Sequence, residues 1–134
     1  MLGVLRQVRP RFEDAGVTVA IENHAGDFQA RRLRTVVEEA GREWVGVTYD
    51  SGNPCWIMED PLAAVEILGP YVATGHLRDS HVWADEKGLV VQWVRFGHGN
   101  VRIAEVVKRL HELRPDVIVN LETICIGNRP FPVL

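Results

Sequence analysis

Short apolar runs that end abruptly in polar residues alternate along this chain with segments whose apolar positions recur every three or four residues. The first short run, Val17–Ile21, is rich in β-branched residues, and Glu22, Asn23 and His24 follow it without a break. Such a run predicts a strand covered on both faces, as in a parallel sheet. Trp44–Asp50, Tyr71–Asp79 and Asp116–Glu122 repeat the pattern, each closed by a polar or charged group. The intervening segments read as helices. Asp27 is placed to cap one that runs to about Ala40, with Leu33, Val36, Val37 and Ala40 on one face and Gly41 as the stop. Asp60-Pro61 opens a second, since proline at the first helical position wastes no backbone donor, and Gly69-Pro70 ends it. Asn100 opens a third, in which Ile103, Val106, Val107, Leu110 and Leu113 form a core-facing stripe before Pro115 forbids continuation. Leu2–Asp14 carries a helical pattern interrupted by Pro10. Val82–Val94 departs from the alternation: polar and apolar residues alternate on either side of Lys87-Gly88, which predicts a β-hairpin inserted after the third strand.

Strands and helices in strict alternation with short connections specify parallel βα units, hence an α/β fold. Four such units do not close a barrel, which takes about 250 residues, so a chain of 134 residues is either a small open α/β domain or half of something larger.

Composition adds exclusions. With 46% hydrophobic and 25% charged residues the chain can build a core, and it is read as a single domain over residues 1–134. The formal net charge of -3, with arginines dispersed among glutamates, offers no basic field for a nucleic acid backbone. No apolar stretch approaches the roughly 20 residues of a membrane helix, and the start lacks the apolar run of a signal peptide, so a cytoplasmic protein is expected. Cys55 and Cys125, far apart, form neither a disulfide framework nor a zinc signature.

The polar residues that end the strands change the picture most. In parallel α/β folds the ligand site lies at the carboxyl ends of the strands. Here each strand delivers one metal-competent group to that rim: Glu22, Asp50, His76 and Glu122. Three carboxylates and one imidazole make a hard, oxygen-rich set suited to one divalent ion, Mn²⁺ or Mg²⁺ foremost, with Co²⁺ or Zn²⁺ admitted by the histidine. Taken singly, each has a plainer reading: a solvated strand-end acid, a turn aspartate ahead of Gly52-Asn53-Pro54, a core histidine. Four at four successive strand ends favour the metal.

The ordered motifs I-E-N-H, Y-D-S-G-N-P, G-H-L-R-D-S-H, F-G-H-G-N-V and N-L-E-T resemble the C-terminal half of the xylose isomerase-like TIM barrels, the sugar phosphate isomerase and epimerase group, from about Gly16 onward. The resemblance implies four parallel βα units of a (β/α)8 barrel whose N-terminal half is absent. It implies one divalent metal held by Glu22, Asp50, His76 and Glu122, with Glu22 and Glu122 as the catalytic acid/base pair in proton transfer beside a carbonyl, through an enediolate. Around the substrate it and the local chemistry suggest His24, Asn53, Arg78 and His81, with Arg129 for a phosphate and Trp56, Trp83 and Trp93 as an apolar wall. Two departures stand out: Gly97-His98-Gly99 where the family often has G-E-G, which leaves the role of His98 open, and Arg78 where many relatives have lysine.

The expected activity is isomerisation or epimerisation of a small keto-sugar or related polyol. Its alternatives are dehydration of an inositol-type ketone, an endonuclease-IV-like enzyme, disfavoured by the acidic charge and the ligand set, and a non-catalytic half-barrel that serves as a metal-binding or assembly module. Missing strands would leave raw sheet edges, so a second copy or another polypeptide is expected to cover them, or else the chain is a truncated product with a poorly protected edge. The cysteines, just past ligand strands, are expected to be small buried hydrophobes rather than nucleophiles.

Overall fold

The computed structural model describes residues 1–124 and 129–133. The chain runs α1 (Leu2–Asp14), β1 (Val19–Glu22), α2 (Ala30–Ala40), β2 (Val45–Asp50), a short 3-10 turn (Asn53–Ile57), α3 (Pro61–Leu68) and β3 (Val72–Leu77). It continues with β4 (Asp79–Asp85), β5 (Gly88–Val94), α4 (Ile103–Leu113), β6 (Ile118–Leu121) and β7 (Phe131–Pro132). Strands β1, β2, β3 and β6 form one parallel sheet in that order. Each predicted strand is present, within two residues of the apolar run that marks it.

Alternation sends every second side chain to one face. On β2, Val45, Val47 and Tyr49 pack with Leu33 and Val37 of α2, Val65 and Leu68 of α3, and Val106 and Leu110 of α4 in a continuous core. The opposite face carries Gly46, Thr48 and Asp50 of β2 and, across the register, Ala20 and Glu22 of β1 and Thr74 and His76 of β3. A register shift at Val47/Thr48 sets Asp50 opposite His76. Edge strand β6 is exposed at all four positions, with Ile118 at 73% and Leu121 at 72%.

Three helix starts test the capping expectations. Asp60 caps α3 as predicted, its carboxylate accepting from Ala63 N at 2.8 Å. Asp27 does not cap α2, which begins three residues later. Asp27 instead donates its own N–H to His24 O in a turn, and the orphan N–H of Ala30 is met by both carboxylate oxygens of Glu59, at 3.0 and 3.2 Å. Asn100 does not open α4 either: its side chain accepts from Val82 N and its N–H donates to Ser80 O, tying the loop to the hairpin, and α4 starts at Ile103. Pro10 is accommodated inside α1 because it sits on an exposed face, where water can serve the carbonyl it leaves unpaired.

The hairpin is present and longer than expected. β4 begins at Asp79, directly after Arg78, and pairs antiparallel with β5 from Asp79↔Val94 to Asp85↔Gly88. The predicted strand Tyr71–Asp79 is therefore divided between two sheets at Arg78. The second sheet has the order β4-β5-β7, with Phe131 and Pro132 adding to β5.

Candidate metal centre

Glu22, Asp50, His76 and Glu122 come from four neighbouring strands, and each offers a ligand atom within 4.8 Å of the others. His76 Nδ1 lies 3.1 Å from Glu122 Oε2 and 4.0 Å from Glu22 Oε1. Asp50 is fully buried, and the other three are about one-third exposed. The strand-end positions chosen from sequence thus converge at one point on the carboxyl rim of the sheet.

Rigidity comes from hydrogen bonds around these groups. Asp50 Oδ1 accepts from the N–H of Gly52 at 2.8 Å and of Asn53 at 2.9 Å, which turns the chain sharply after β2. The Asn23 amide brackets the Asp50 backbone, accepting from its N–H at 2.7 Å and donating to its carbonyl at 3.0 Å. Asn23 is the amide whose place between Glu22 and His24 had no evident purpose in sequence. Its side chain acts as one more rung of the ladder where β1 ends. Asn53 donates to Glu22 Oε1 at 3.1 Å and accepts from Arg78 at 2.9 Å.

Asp50 Oδ2, His76 Nδ1 and Glu122 Oε2 are buried and have no hydrogen-bond partner. Arg78 Nε is 2.8 Å from Asp50 Oδ2, an ion pair rather than a well-formed hydrogen bond. An unmade hydrogen bond at a buried polar atom costs about 1–3 kcal/mol, and three such atoms at one point fit a cation that would take their lone pairs. Oxygen donors with one imidazole suit a hard or borderline divalent ion. Burial pushes the Asp50 carboxyl upward, an effect opposed by the charge of Arg78 and by the N–H groups of Asn53 and Gly52.

The other expected residues scatter. His24 is exposed, its Nδ1 3.2 Å from Ala25 O. His81 lies on β4 with its ring against Trp83 at 5.2 Å. Trp56 and Trp93 meet at 4.7 Å and share Phe131, whereas Trp83 stands apart with His81. His98 and Arg129 are exposed. Cys55 is buried, and burial together with the charge of Asp79 pushes its thiol up to about 12, which fits an inert hydrophobe. Cys125 lies outside the described residues. Arg78, Trp93, Phe96 and Glu122 border a cavity of about 370 Å³ beside the centre.

Asp79 is a further residue with a role that sequence did not disclose. Its buried carboxylate accepts from the N–H of Gly97 at 2.9 Å, Gly99 at 3.1 Å and Val101 at 3.4 Å, so it organises the glycine loop that leads from β5 to α4. A Cβ at Gly99 would collide with Asp79 and with the Ser80 carbonyl.

The profile of the xylose isomerase-like TIM barrel matches residues 1–132. Two curated relatives are uncharacterized proteins. YihM of Escherichia coli is 25% identical over 103 residues, 77% of this chain and 31% of its own length. MJ1311 of Methanocaldococcus jannaschii is 23% identical over 121 residues, 82% and 38% of the two chains. Among solved structures, a xylose isomerase domain protein from Planctomyces limnophilus superposes with a TM-score of 0.77 at 22% identity, over 91% of this chain and 45% of that one. The probable 3-DHS dehydratase AsbF of petrobactin synthesis from Bacillus anthracis gives 0.74 at 14% identity, over 94% and 50%. The chain thus spans about a third of the curated relatives it matches and about half of these solved barrels.

Proposed function

Because the chain belongs to the xylose isomerase-like TIM barrel family, we propose that its four strand ends form the metal-dependent centre of an isomerase or epimerase acting on a small keto-sugar or related polyol. The observation that carries this reading is the convergence of Asp50 Oδ2, His76 Nδ1 and Glu122 Oε2, buried and without a hydrogen bond, beside Glu22. A divalent ion held there, Mn²⁺ or Mg²⁺ by preference, would stabilise the negative charge that develops on a carbonyl oxygen when the adjacent carbon loses its proton.

Glu22 ends edge strand β1 and Glu122 directly follows edge strand β6, which suits a pair that would act from two sides of a substrate. In this reading one removes the proton from the carbon beside the carbonyl, and the other delivers a proton to the neighbouring carbon or to the opposite face. Asn53 holds Glu22 by its amide N–H. His24 and His81 are assigned to substrate hydroxyls on the rim. A dehydratase acting on a cyclic ketone is the second reading. The solved relative named as a probable dehydratase favours it, as does the aromatic lining of the cavity by Trp93 and Phe96. The same proton abstraction would there be followed by loss of a hydroxyl on the next carbon.

The inner face and the edges at β1 and β6 are proposed to be closed by a second four-stranded half, supplied by another copy or another polypeptide. Sedimentation at several concentrations tests this, and a monodisperse monomer that holds metal and is active would refute it.

Titration of the metal-stripped protein with Mn²⁺ should show one site per chain, weakened by roughly tenfold or more in Glu122→Gln. Keto-sugars incubated with the Mn²⁺-loaded protein in D₂O should gain deuterium beside the carbonyl, and Glu22→Gln should abolish the exchange. A wild type that binds no Mn²⁺ would remove the basis of the proposal.

A further inference from the structure

Among the described residues, Arg78 is the one arginine or lysine paired with these carboxylates, and the chain is arranged to keep it there. Its side chain is 6% exposed. Its guanidinium contacts Asp50 Oδ2 at 2.8 Å, Glu122 Oε1 at 3.5 Å and Glu22 Oε1 at 4.0 Å, and donates to Asn53 Oδ1 at 2.9 Å. The Trp93 ring lies 5.5 Å from the guanidinium carbon on another side. The Ser51 hydroxyl accepts from Arg78 N at 2.9 Å and donates to Arg78 O at 2.6 Å, fixing the backbone from which the side chain departs. Gly52 leaves room for the stem: a Cβ there would stand 2.8 Å from Arg78 Cγ. Ser51, Gly52 and Asn53 of the Y-D-S-G-N-P turn each serve this one arginine.

We propose that Arg78 is a built-in counter-cation and positioning residue, which sets the charge of the centre for a divalent ion and anchors Glu22 through Asn53. The inference rests on the metal reading above. Three carboxylates and one guanidinium leave two negative charges, which one divalent ion cancels. Lysine in this position would keep the charge but could not present the fork that reaches Asp50 and Asn53 together.

The test separates charge from mere packing. Mn²⁺ alone and Tb³⁺ alone are titrated into wild type, Arg78→Met and Arg78→Lys, by calorimetry and by Tb³⁺ luminescence sensitised through Trp93. Removing the positive charge should raise the Tb³⁺-to-Mn²⁺ affinity ratio by roughly tenfold or more in Arg78→Met, because the added negative charge acts more strongly on a trivalent ion. Arg78→Lys should keep the wild-type ratio. An unchanged ratio in Arg78→Met, or an equal shift in Arg78→Lys, would overturn the proposal while wild-type Mn²⁺ binding leaves the metal reading standing. Failure of wild type to bind either ion would instead overturn both. Arg78→Gln, which retains a donor for Asn53, carries the same measurement should Arg78→Met not fold.

Discussion

Replacing Asp79 by asparagine removes a charge without changing shape, and the structure gives the cost. Asp79 is 2% exposed, and its Oδ2 receives two well-placed N–H groups, from Gly97 and Gly99. A hydrogen bond to a charged acceptor contributes about 1.5–3 kcal/mol and a neutral one about 1, so two bonds that lose their charge assistance cost roughly 2 kcal/mol together. The longer bond from Val101, at 3.4 Å to Oδ1, adds little, but an amide turned to keep Gly97 and Gly99 points its own N–H groups toward Val101. Equilibrium urea unfolding followed by tryptophan fluorescence should therefore show Asp79→Asn less stable by about 2 kcal/mol. The midpoint of thermal unfolding should fall by roughly 4–10 °C. Hydrogen exchange should locate the effect, with the Gly97 and Gly99 amides accelerated more than those of β2. An Asn variant within about 0.5 kcal/mol of wild type would mean that the carboxylate does not hold the loop and that the assignment is wrong.

Other perturbations address the core and the helix ends. Cys55, with its thiol pushed up to about 12 by burial, should react with a disulfide reagent at neutral pH only on unfolding; a rapid native reaction in a Cys125→Ser background would contradict its enclosure. Burial also holds the half-buried Glu59 carboxyl above its ordinary value. Folding thus favours the protonated form, a contribution present below the unfolded pKa and lost as pH rises through the folded one. Urea midpoints measured from about pH 4 to 7 should accordingly lose part of their downward slope in Glu59→Gln, and parallel curves for the two proteins would refute this. Tyr49→Phe removes the buried bond from its hydroxyl to Pro61 O at 2.8 Å and should cost about 1–2 kcal/mol by the same unfolding measurement; no change would place that carbonyl in contact with water.

Features written in contiguous residues were legible in the sequence. Val17–Ile21 and Trp44–Asp50 announce strands because parallel strands are apolar on both faces, and the polar residues that stop them mark the rim where Glu22 and Asp50 converge with His76 and Glu122. Asp60-Pro61 announces a helix start because the cap and the N–H it satisfies lie three residues apart. The caps of α2 and α4 were not legible for the converse reason. Glu59 reaches Ala30 across 29 positions, and Asn100 reaches Val82 across 18, so neither bond leaves a trace in local spacing. Asp27 and Asn100 suited the local rule, and tertiary contacts settled both ends otherwise.

The same distinction separates the metal-competent groups from the residues that hold them. A ligand is recognisable because its chemistry is rare at a strand end. A support is a common residue whose meaning depends on a partner elsewhere: Asn23 bonds to a backbone 27 residues away, Ser51 clamps Arg78 at the same separation, and Asp79 gathers N–H groups from 18 to 22 residues on. These supports lie within three residues of Glu22, Asp50 or His76 in sequence, which follows from the fold rather than from chance. Parallel strands bring their carboxyl ends to one rim, so residues just past each end lie within reach of one another and of the loops that follow. A polar residue next to a strand-end ligand is therefore to be read first as a brace for a neighbouring strand, and only after that bond is excluded as a contact for substrate.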